Sequence, residues 1–148
     1  MPATPLLPSF RVLIVDDNPV CSNILARVIE SQQLGEIVAL HVNTLRSAEE
    51  ALRDLETACY DIIFTDIEMR QVSGDEMVRR IHSGQTHPIH ESNRGIPIIA
   101  ITTKDDPDSR ERYEDAGITK CLGKPVERES IYAIIEERVD QIKENRIK

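Results

Sequence analysis

The sequence predicts an α/β fold of the (βα)5 type, in which five parallel strands form one doubly wound sheet within a three-layer αβα architecture. Five short apolar segments rich in β-branched residues alternate with segments whose apolar residues recur at helical spacing. The strand segments lack the polar alternation of half-exposed strands, as expected when helices cover both faces of a parallel sheet. The length of 148 residues suits a single domain.

The predicted strands share a mostly apolar run that ends at a polar residue or a turn. They cover residues 10–15, 37–42, 61–66, 96–101 and 119–122. Each run is short and lies between turn-forming residues, which favours a buried strand over a buried helix. The connections between these runs are long enough for the right-handed crossovers that a parallel sheet requires.

Four of the five predicted helices have an apolar stripe, whereas the fourth is predicted from its capping residues and an early proline, Pro107. They are expected at about residues 19–35, 48–55, 74–83, 106–116 and 128–143. Ser47 and Glu50 form a capping box at the start of the second helix. Asp105 or Asp106 caps the fourth helix, and Gly117 follows its last turn.

Three segments lack a regular pattern. Residues 1–9 contain three prolines and are expected to form a disordered N-terminal segment. The domain then spans residues 10–144, and residues 145–148 form a tail. Within the domain, residues 83–95 are polar and are interpreted as a long, mobile surface loop. Two histidines in this loop have ligand-like spacing, but no Cys or acidic partners are organised around them, which favours a surface loop over a metal site.

Composition excludes several classes of function. The 18 basic and 26 acidic residues give a net charge of −8, and the chain has no Trp, which disfavours binding to nucleic acid. No apolar run is long enough to span a membrane, and no secretory leader is recognisable. The three cysteines are odd in number and far apart, which indicates reduced thiols. We therefore expect a cytoplasmic protein, or a nuclear one in a eukaryote.

Polar residues directly follow four of the predicted strands. They are Asp16, Asp17, Asp66, Thr102 and Lys124. Because ligands of open parallel sheets bind beyond the carboxyl ends of the strands, we expect these side chains to converge at one edge. Clustered carboxylates repel one another, and Mg²⁺ with its preference for oxygen ligands would neutralise them. The Lys124 ammonium suits a phosphate oxygen, so the site has room for a metal and one further dianion.

Four segments in order resemble the receiver domains of two-component response regulators, which have the CheY-like variant of the flavodoxin-like fold. These segments are Leu-Ile-Val-Asp-Asp-Asn (13–18), Asp-Ile-Ile-Phe-Thr-Asp-Ile-Glu-Met (61–69) with Gly74 after it, Pro-Ile-Ile-Ala-Ile-Thr (97–102) and Gly-Lys-Pro (123–125). Each segment lies at a strand end, and together they cover residues 10 to about 143. The length of the 83–95 segment is similar to that of eukaryotic, including fungal, receivers.

The resemblance implies a site for Mg²⁺ and a phosphoacceptor. Asp66 would accept a phosphoryl group, and Asp17 and Asp66 would bind the metal directly. The backbone carbonyl of Glu68 would add a ligand, and Asp16 would act through water.

The resemblance also implies how the phosphoryl group is held. Thr102 would turn its hydroxyl onto it and Lys124 would pair with it, although Thr103 competes with Thr102 for the first role. The Lys124–Pro125 peptide bond is expected to be cis.

One position departs from the pattern of the family, and two others are positions at which the family itself varies. Cys121 stands where the family has a switch aromatic, and a thiol cannot perform the usual ring movement. Glu68 and Lys104 occupy the variable positions that influence the lifetime of the aspartyl phosphate. We hypothesise that these two side chains pair across the mouth of the site and restrict the attacking water.

The resemblance implies a signalling function rather than an enzyme. The chain would receive its phosphoryl group from a histidine kinase or a histidine phosphotransfer protein in a His–Asp phosphorelay. It would then signal to an effector protein through the surface of the fourth helix, fifth strand and fifth helix, at about residues 104–143. Two alternatives remain open: a Mg²⁺-dependent phosphohydrolase with an aspartyl-phosphate intermediate, and an unphosphorylated interaction module.

Overall fold

The computed structural model describes residues 7–35, 37 and 39–147, and its sheet confirms the predicted fold class. All five strands are parallel and lie in the order β2-β1-β3-β4-β5, as in flavodoxin-like sheets. The strands are β1 (Phe10–Val15), β2 (Leu40–Leu45), β3 (Ile62–Asp66), β4 (Ile98–Thr102) and β5 (Lys120–Gly123).

Five α-helices alternate with these strands. They are α1 (Pro19–Ser31), α2 (Ala48–Asp54), α3 (Gly74–Ser83), α4 (Pro107–Ala116) and α5 (Arg128–Ile147). Within the described residues, no helix combines the length and apolar character needed to cross a bilayer.

Alternate residues of the central strands build two separate cores. In β1, Leu13 and Val15 face a core that is closed by α2, α3 and α4. Val12 and Ile14 face the opposite core, which is closed by α1 and α5. All four side chains are essentially inaccessible to solvent. Because side chains alternate along a strand, an apolar run without polar alternation fills both cores at once.

Regular structure extends beyond the predicted domain boundaries at both ends of the described chain. Residues 1–6 of the segment expected to be disordered lie outside the described residues, but Leu7 is buried and forms a parallel bridge with Ile37. At the other end, α5 continues to Ile147, so residues 145–147 are helical and not a tail. Residue 148 lies outside the described part.

The second strand and the first helix also differ from prediction. The strand begins at Leu40 and ends at Leu45, three residues later than expected, and residue 38 of the predicted strand lies outside the described residues. β2 is an edge strand with alternating exposure, so its own sequence is less apolar than the run before it. α1 ends at Ser31, before Gly35.

The connection between α3 and β4 is more ordered than the predicted mobile loop. It contains a 3₁₀ helix, Glu91–Asn93, and the Asn93 side chain is fully buried. The Asn93 amide donates to the carbonyls of Leu55 (3.0 Å) and Ala58 (2.7 Å), and its oxygen accepts from the Tyr60 N–H at 3.0 Å. The loop is therefore fixed to the segment between α2 and β3.

Replacing Asn93 by Ala is expected to lower the free energy of unfolding by about 2–3 kcal/mol. Its removal would leave the Ala58 carbonyl and the Tyr60 N–H without the partners that they have here, whereas the Leu55 carbonyl keeps the His90 N–H. Buried polar groups without partners are costly. Urea denaturation followed by circular dichroism measures the effect. The exposed Asn23→Ala on α1 is the matched control and should change stability by no more than about 0.5 kcal/mol. A similarly small change for Asn93→Ala would show that the amide does not hold the loop.

A buried carboxylate joins α3 to α4. Asp75, in the first turn of α3, accepts from Arg79 Nη1 at 3.2 Å, and Arg112 Nε of α4 lies 3.6 Å from the same oxygen. Burial alone would raise the pKa of Asp75, but hydrogen bonds from Ser73 and Arg79 outweigh it and lower the pKa below the ordinary value of 3.8. The ionised form of Asp75 is thus favoured in the folded protein.

Asp75→Asn is expected to destabilise the protein at pH 7 by about 1 kcal/mol, since it removes charge-assisted contacts. Because the pKa of Asp75 is lower in the folded than in the unfolded protein, its contribution is fully present above the unfolded value. It is lost as pH falls through the folded value. The stabilities of wild type and Asp75→Asn should therefore converge below about pH 4, whereas the exposed control Asp115→Asn should track the wild type throughout. A difference that is independent of pH would contradict this assignment.

Candidate functional site

The sheet brings the selected polar residues to its carboxyl edge. These residues follow or end β1, β3, β4 and β5: Asp16, Asp17, Asp66, Thr102 and Lys124. In the strand register, Asp66 pairs with Ile101, and Thr102 pairs with Gly123, the residue directly before Lys124. The predicted convergence of these strand ends is therefore confirmed.

Three carboxylates and one ammonium group form the centre of the site. One oxygen from each of Asp16, Asp17 and Asp66 lies within 4.8 Å of the others, which is a suitable arrangement for one metal ion. The Lys124 Nζ lies 3.6 Å from Oδ1 of Asp66. Asp66 thus has acidic neighbours and a basic neighbour at once.

The site favours the binding of a cation. Burial raises the pKa of Asp66, and the charge of Asp16 raises it further, while Lys124 opposes this rise. Burial also raises the pKa of Asp16 above its ordinary value, against a hydrogen bond from the Asn18 N–H and the charge of Lys124. One lysine does not balance three neighbouring acids, and a divalent ion with oxygen preference would.

Backbone hydrogen bonds hold the first two acids in place. The Asn18 N–H donates to Asp16 Oδ1 at 2.9 Å, and the Asn18 side chain caps α1 by accepting from the N–H groups of Val20 and Cys21. The Arg70 N–H donates to Asp17 Oδ2 at 3.1 Å, and its Nε lies 3.9 Å from that oxygen. The contact of Arg70 with Asp17 could not be predicted from the sequence, because no periodicity marks a loop residue that folds back across the site.

Gly74 is required by a close approach of backbone segments beneath Asp66. A Cβ atom at this position would lie 2.1 Å from the Asp66 carbonyl oxygen and 3.0 Å from the Ile67 Cα. The Gly74 N–H donates to the Ile67 carbonyl at 2.8 Å, which closes the loop between β3 and α3. The position of Asp66 therefore depends on the absence of a side chain eight residues later.

Thr102 is buried at the end of β4. Its Oγ1 accepts from the Lys104 N–H at 3.0 Å, and no part of the residue is exposed. The hypothesis of a Glu68–Lys104 pair is wrong for this structure, because within the described residues the two charges form no ion pair. Instead, the Thr103 hydroxyl donates to Glu68 Oε1 at 3.4 Å. Thr103, whose side chain is shorter than that of Lys104, thus reaches Glu68 from the same loop.

Other features of the sequence analysis lie around the site or away from it. The Lys124–Pro125 peptide bond is cis, as the resemblance implies. Cys121 is partly buried against the core that α2, α3 and α4 close, and burial raises the pKa of its thiol. In the loop before β4, His87 lies 3.6 Å from a Glu49 carboxylate, and His90 Nδ1 lies 3.5 Å from the Cys59 sulfur.

The fold and the site together define a class of signalling domain, namely a parallel α/β domain with an acidic cluster and a lysine at one edge. A model of the response regulator receiver domain matches residues 12–136, and the chain belongs to this family. The acidic pocket of Asp16, Asp17 and Asp66 is typical of phosphoaspartate sites in that family.

The chain is similar to proteins of fungal and bacterial signalling. It is 31% identical over 144 residues to stress response regulator protein 1 of Meyerozyma guilliermondii, covering 97% of this chain and 61% of the relative. It is 32% identical over 126 residues to virulence sensor protein BvgS of Bordetella pertussis, covering 84% of this chain and 10% of the relative. The chain thus spans less than two thirds of the length of these relatives.

A solved structure shows the same fold with a metal. The receiver domain of the sensor histidine kinase PA1611 from Pseudomonas aeruginosa has a TM-score of 0.73 and 27% identity, and the match covers 89% of this chain and 98% of that chain. A magnesium ion is coordinated in the active site cleft of that protein.

Proposed function

We propose that this chain is a phosphorylation-controlled receiver in which Asp66 accepts a phosphoryl group from a phosphohistidine in a His–Asp phosphorelay. The observation that carries the proposal is the cluster of three carboxylates within 4.8 Å of one another, with Lys124 Nζ at 3.6 Å from Asp66. A divalent metal would neutralise the excess negative charge of this cluster, and together with Lys124 it would offset the charge of a transferred phosphoryl group. The relatives include a hybrid signal transduction histidine kinase of Dictyostelium discoideum, which supports a histidine donor.

The proposed transfer is a single displacement at phosphorus. A carboxylate oxygen of Asp66 forms a bond to phosphorus, and the bond from phosphorus to the donor imidazole nitrogen breaks, returning its electron pair to the ring. Lys124 attracts one oxygen of the transferred group, and the Thr102 hydroxyl turns to donate to another.

A divalent metal fits the same residues. Asp17, Asp66 and the Glu68 carbonyl would hold it directly, and Asp16 would hold one of its waters. When bound, Mg²⁺ supplies positive charge to the oxygens of the transferred group. Three acids that face one lysine offer the hard oxygen donors that this ion requires.

Phosphorylation by a small donor tests the proposed function. The chain is incubated with phosphoramidate and Mg²⁺, and its intact mass is measured. We expect a gain of one phosphoryl group in the wild type, with none in Asp66→Asn or in the presence of EDTA. The exposed Asp108→Asn on α4 serves as the control and should gain the group normally. Phosphorylation of Asp66→Asn to the wild-type extent would overturn the proposal.

The surface beside Asp66 fits a protein phosphodonor. Among the described residues, Val20 (64% exposed) and Ile24 (59% exposed) are the large apolar side chains that remain exposed, and both lie on α1. A groove of about 290 Å³ runs from Ile24 and α1 to Asp66 and Lys124. A donor that delivers its phosphohistidine to Asp66 must cover this mouth, and it would bury the apolar face of α1 at the same time.

Ile24→Ser is expected to weaken binding of a phosphorylated histidine phosphotransfer protein by about 2 kcal/mol, or roughly 30-fold, because a central apolar anchor is lost. Phosphorylation by phosphoramidate should be unchanged, since this donor needs no docking surface. Stopped-flow transfer from a phosphotransfer protein that phosphorylates the wild type measures the difference. Ala133→Ser, at an exposed position on α5, is the control. An equal loss of phosphorylation rate with both donors would show that the substitution damages the site itself and not the docking surface.

The proposed output and lifetime of the phosphorylated state involve further residues. We propose that the effector protein binds the surface of α4, β5 and α5, at about residues 104–143. The tuning of dephosphorylation by Glu68 and Lys104 stays a prediction, although the two side chains do not pair. Cys21, Cys59 and Cys121 form no disulfide, in keeping with a relay in the cytoplasm or nucleus.

A further inference from the structure

A chain of hydrogen bonds connects Thr102 to the centre of α4. Thr102 Oγ1 accepts from the Lys104 N–H at 3.0 Å. The carbonyl of the same residue, Lys104, accepts from the Tyr113 hydroxyl at 3.0 Å. The two peptide groups that flank Lys104 are therefore fixed at one end by the site threonine and at the other by a tyrosine of α4.

Tyr113 is placed to sense a change in this turn. The residue is 1% exposed and belongs to the core that α2, α3 and α4 close, so its ring cannot shift without moving its neighbours. The guanidinium of Arg112 lies 5.2 Å from the centre of the Tyr113 ring, and Arg112 also contacts Asp75 of α3. A displacement of Tyr113 would thus reach the surface where α3 meets α4.

The neighbouring strand cannot supply this link. Cys121 of β5 is small, lies only partly buried and packs at the margin of the same core. Its carbonyl accepts a long bond of 3.5 Å from Arg110, which is exposed to solvent. Tyr113 is therefore the aromatic side chain with a direct hydrogen bond to the loop that follows β4.

We propose that Tyr113 is the positioning residue that couples Thr102 to the surface of α4. This inference rests on the proposed function, because phosphorylation of Asp66 is what draws the Thr102 hydroxyl away from Lys104. The Lys104 N–H then loses the acceptor that fixes this end of the turn, and the turn is free to rearrange around a new partner for that N–H. The Lys104 carbonyl moves with the turn, and the Tyr113 hydroxyl follows its acceptor.

Fluorine NMR of the 148-residue chain tests this coupling in the wild-type sequence. The three tyrosines are labelled as 3-fluorotyrosine and assigned by single Tyr→Phe substitutions. Beryllofluoride with Mg²⁺ then mimics the phosphoryl group. We expect the Tyr113 resonance to shift on formation of the complex, and the Tyr132 resonance, whose hydroxyl contacts Ser31 of α1, to stay in place. A Tyr113 resonance that does not move when the complex forms would overturn the inference.

Hydrogen exchange in three variants provides the second test. In the wild type, beryllofluoride should change amide exchange in α4. Tyr113→Phe keeps the ring but removes the hydroxyl, and we expect it to bind beryllofluoride while this change in α4 is lost. Tyr132→Phe and Cys121→Ala should both retain the change. If the exchange of α4 still changes in Tyr113→Phe, or if this change is lost only in Cys121→Ala, the coupling runs through other residues.

The two tests separate this inference from the proposed function. The signal of bound beryllofluoride, which Asp66→Asn should abolish, reports occupation of the site independently of Tyr113. If no complex forms in the wild type, the proposed function fails and the inference fails with it. If the complex forms and α4 responds without the Tyr113 hydroxyl, the inference alone is wrong.

Discussion

Lys124→Gln is expected to slow phosphorylation of Asp66 by phosphoramidate by about 100-fold or more, the usual effect of removing a group that stabilises developing charge. The Lys124 Nζ lies 3.6 Å from Asp66 Oδ1, so it is beside the carboxylate that we propose as the phosphoacceptor. Glutamine has a similar length but no charge, and it leaves the three carboxylates without their lysine partner. Single-turnover rates from intact mass at saturating Mg²⁺ measure the effect.

Lys120→Gln provides the matched control for this substitution. Lys120 is the first residue of β5, the strand that ends one residue before Lys124, and it is exposed to solvent. The same change of net charge there should leave the rate within about twofold of the wild type, because screened charges at a distance contribute little. If both variants are equally slow, net charge and not the contact with Asp66 controls the rate. If both react at the wild-type rate, Lys124 has no part in the transfer.

Gly74→Ala is expected to destabilise the protein by about 1–3 kcal/mol, as overpacking of a close contact does. The new Cβ would lie 2.1 Å from the Asp66 carbonyl oxygen, a backbone atom that cannot turn away as the end of a flexible side chain can. The loop between β3 and α3 must therefore shift and carry Asp66 with it. Since a displacement of ~1 Å can lower a rate about 100-fold, phosphorylation of the folded variant should also be slow.

Gly95→Ala is the control for Gly74→Ala. No atom lies within 4 Å of a Cβ placed on Gly95, so the substitution should change the free energy of unfolding by no more than about 0.5 kcal/mol. Thermal unfolding of both variants and their phosphorylation rates are measured together. A Gly74→Ala protein with wild-type stability and rate would show that the loop adjusts without moving Asp66.

The sequence could predict the site because its residues stand at strand ends. An apolar run that stops at Asp16, Asp66 or Thr102 indicates a strand and places the polar residue at the carboxyl end of that strand. Parallel pairing then places these ends together, as the register of Asp66 with Ile101 shows. The distance between Lys124 and Asp66 follows from the same rule, since β5 ends one residue before the lysine.

The sequence could not predict features that depend on contacts between distant residues. Asn93 resembles any polar loop residue, and only its bonds to Leu55, Ala58 and Tyr60 reveal a buried anchor. Leu7 stands among prolines, and its burial depends on a bridge to a residue 30 positions later, Ile37. Such long-range contacts leave no local periodicity for a pattern to detect.

The side-chain contacts at the mouth of the site could not be predicted for a related reason. Opposite charges at Glu68 and Lys104 favoured an ion pair, but exposed pairs are weak and their long side chains are costly to order. The structure instead joins Glu68 to the hydroxyl of Thr103. Likewise, the role of Tyr113 could not be predicted from its place in the fourth helix, because its hydroxyl donates to a backbone carbonyl nine residues earlier.

The most direct test of the account is to identify the residue that carries the phosphoryl group. After reaction with phosphoramidate and Mg²⁺, borohydride reduces an aspartyl phosphate to homoserine, which tandem mass spectrometry locates in the peptide sequence. We predict homoserine at position 66. Its yield should depend on Mg²⁺ and should be much lower in Lys124→Gln. Homoserine at Asp16 or Asp17, or a phosphoryl group on a residue remote from this edge of the sheet, would contradict the account.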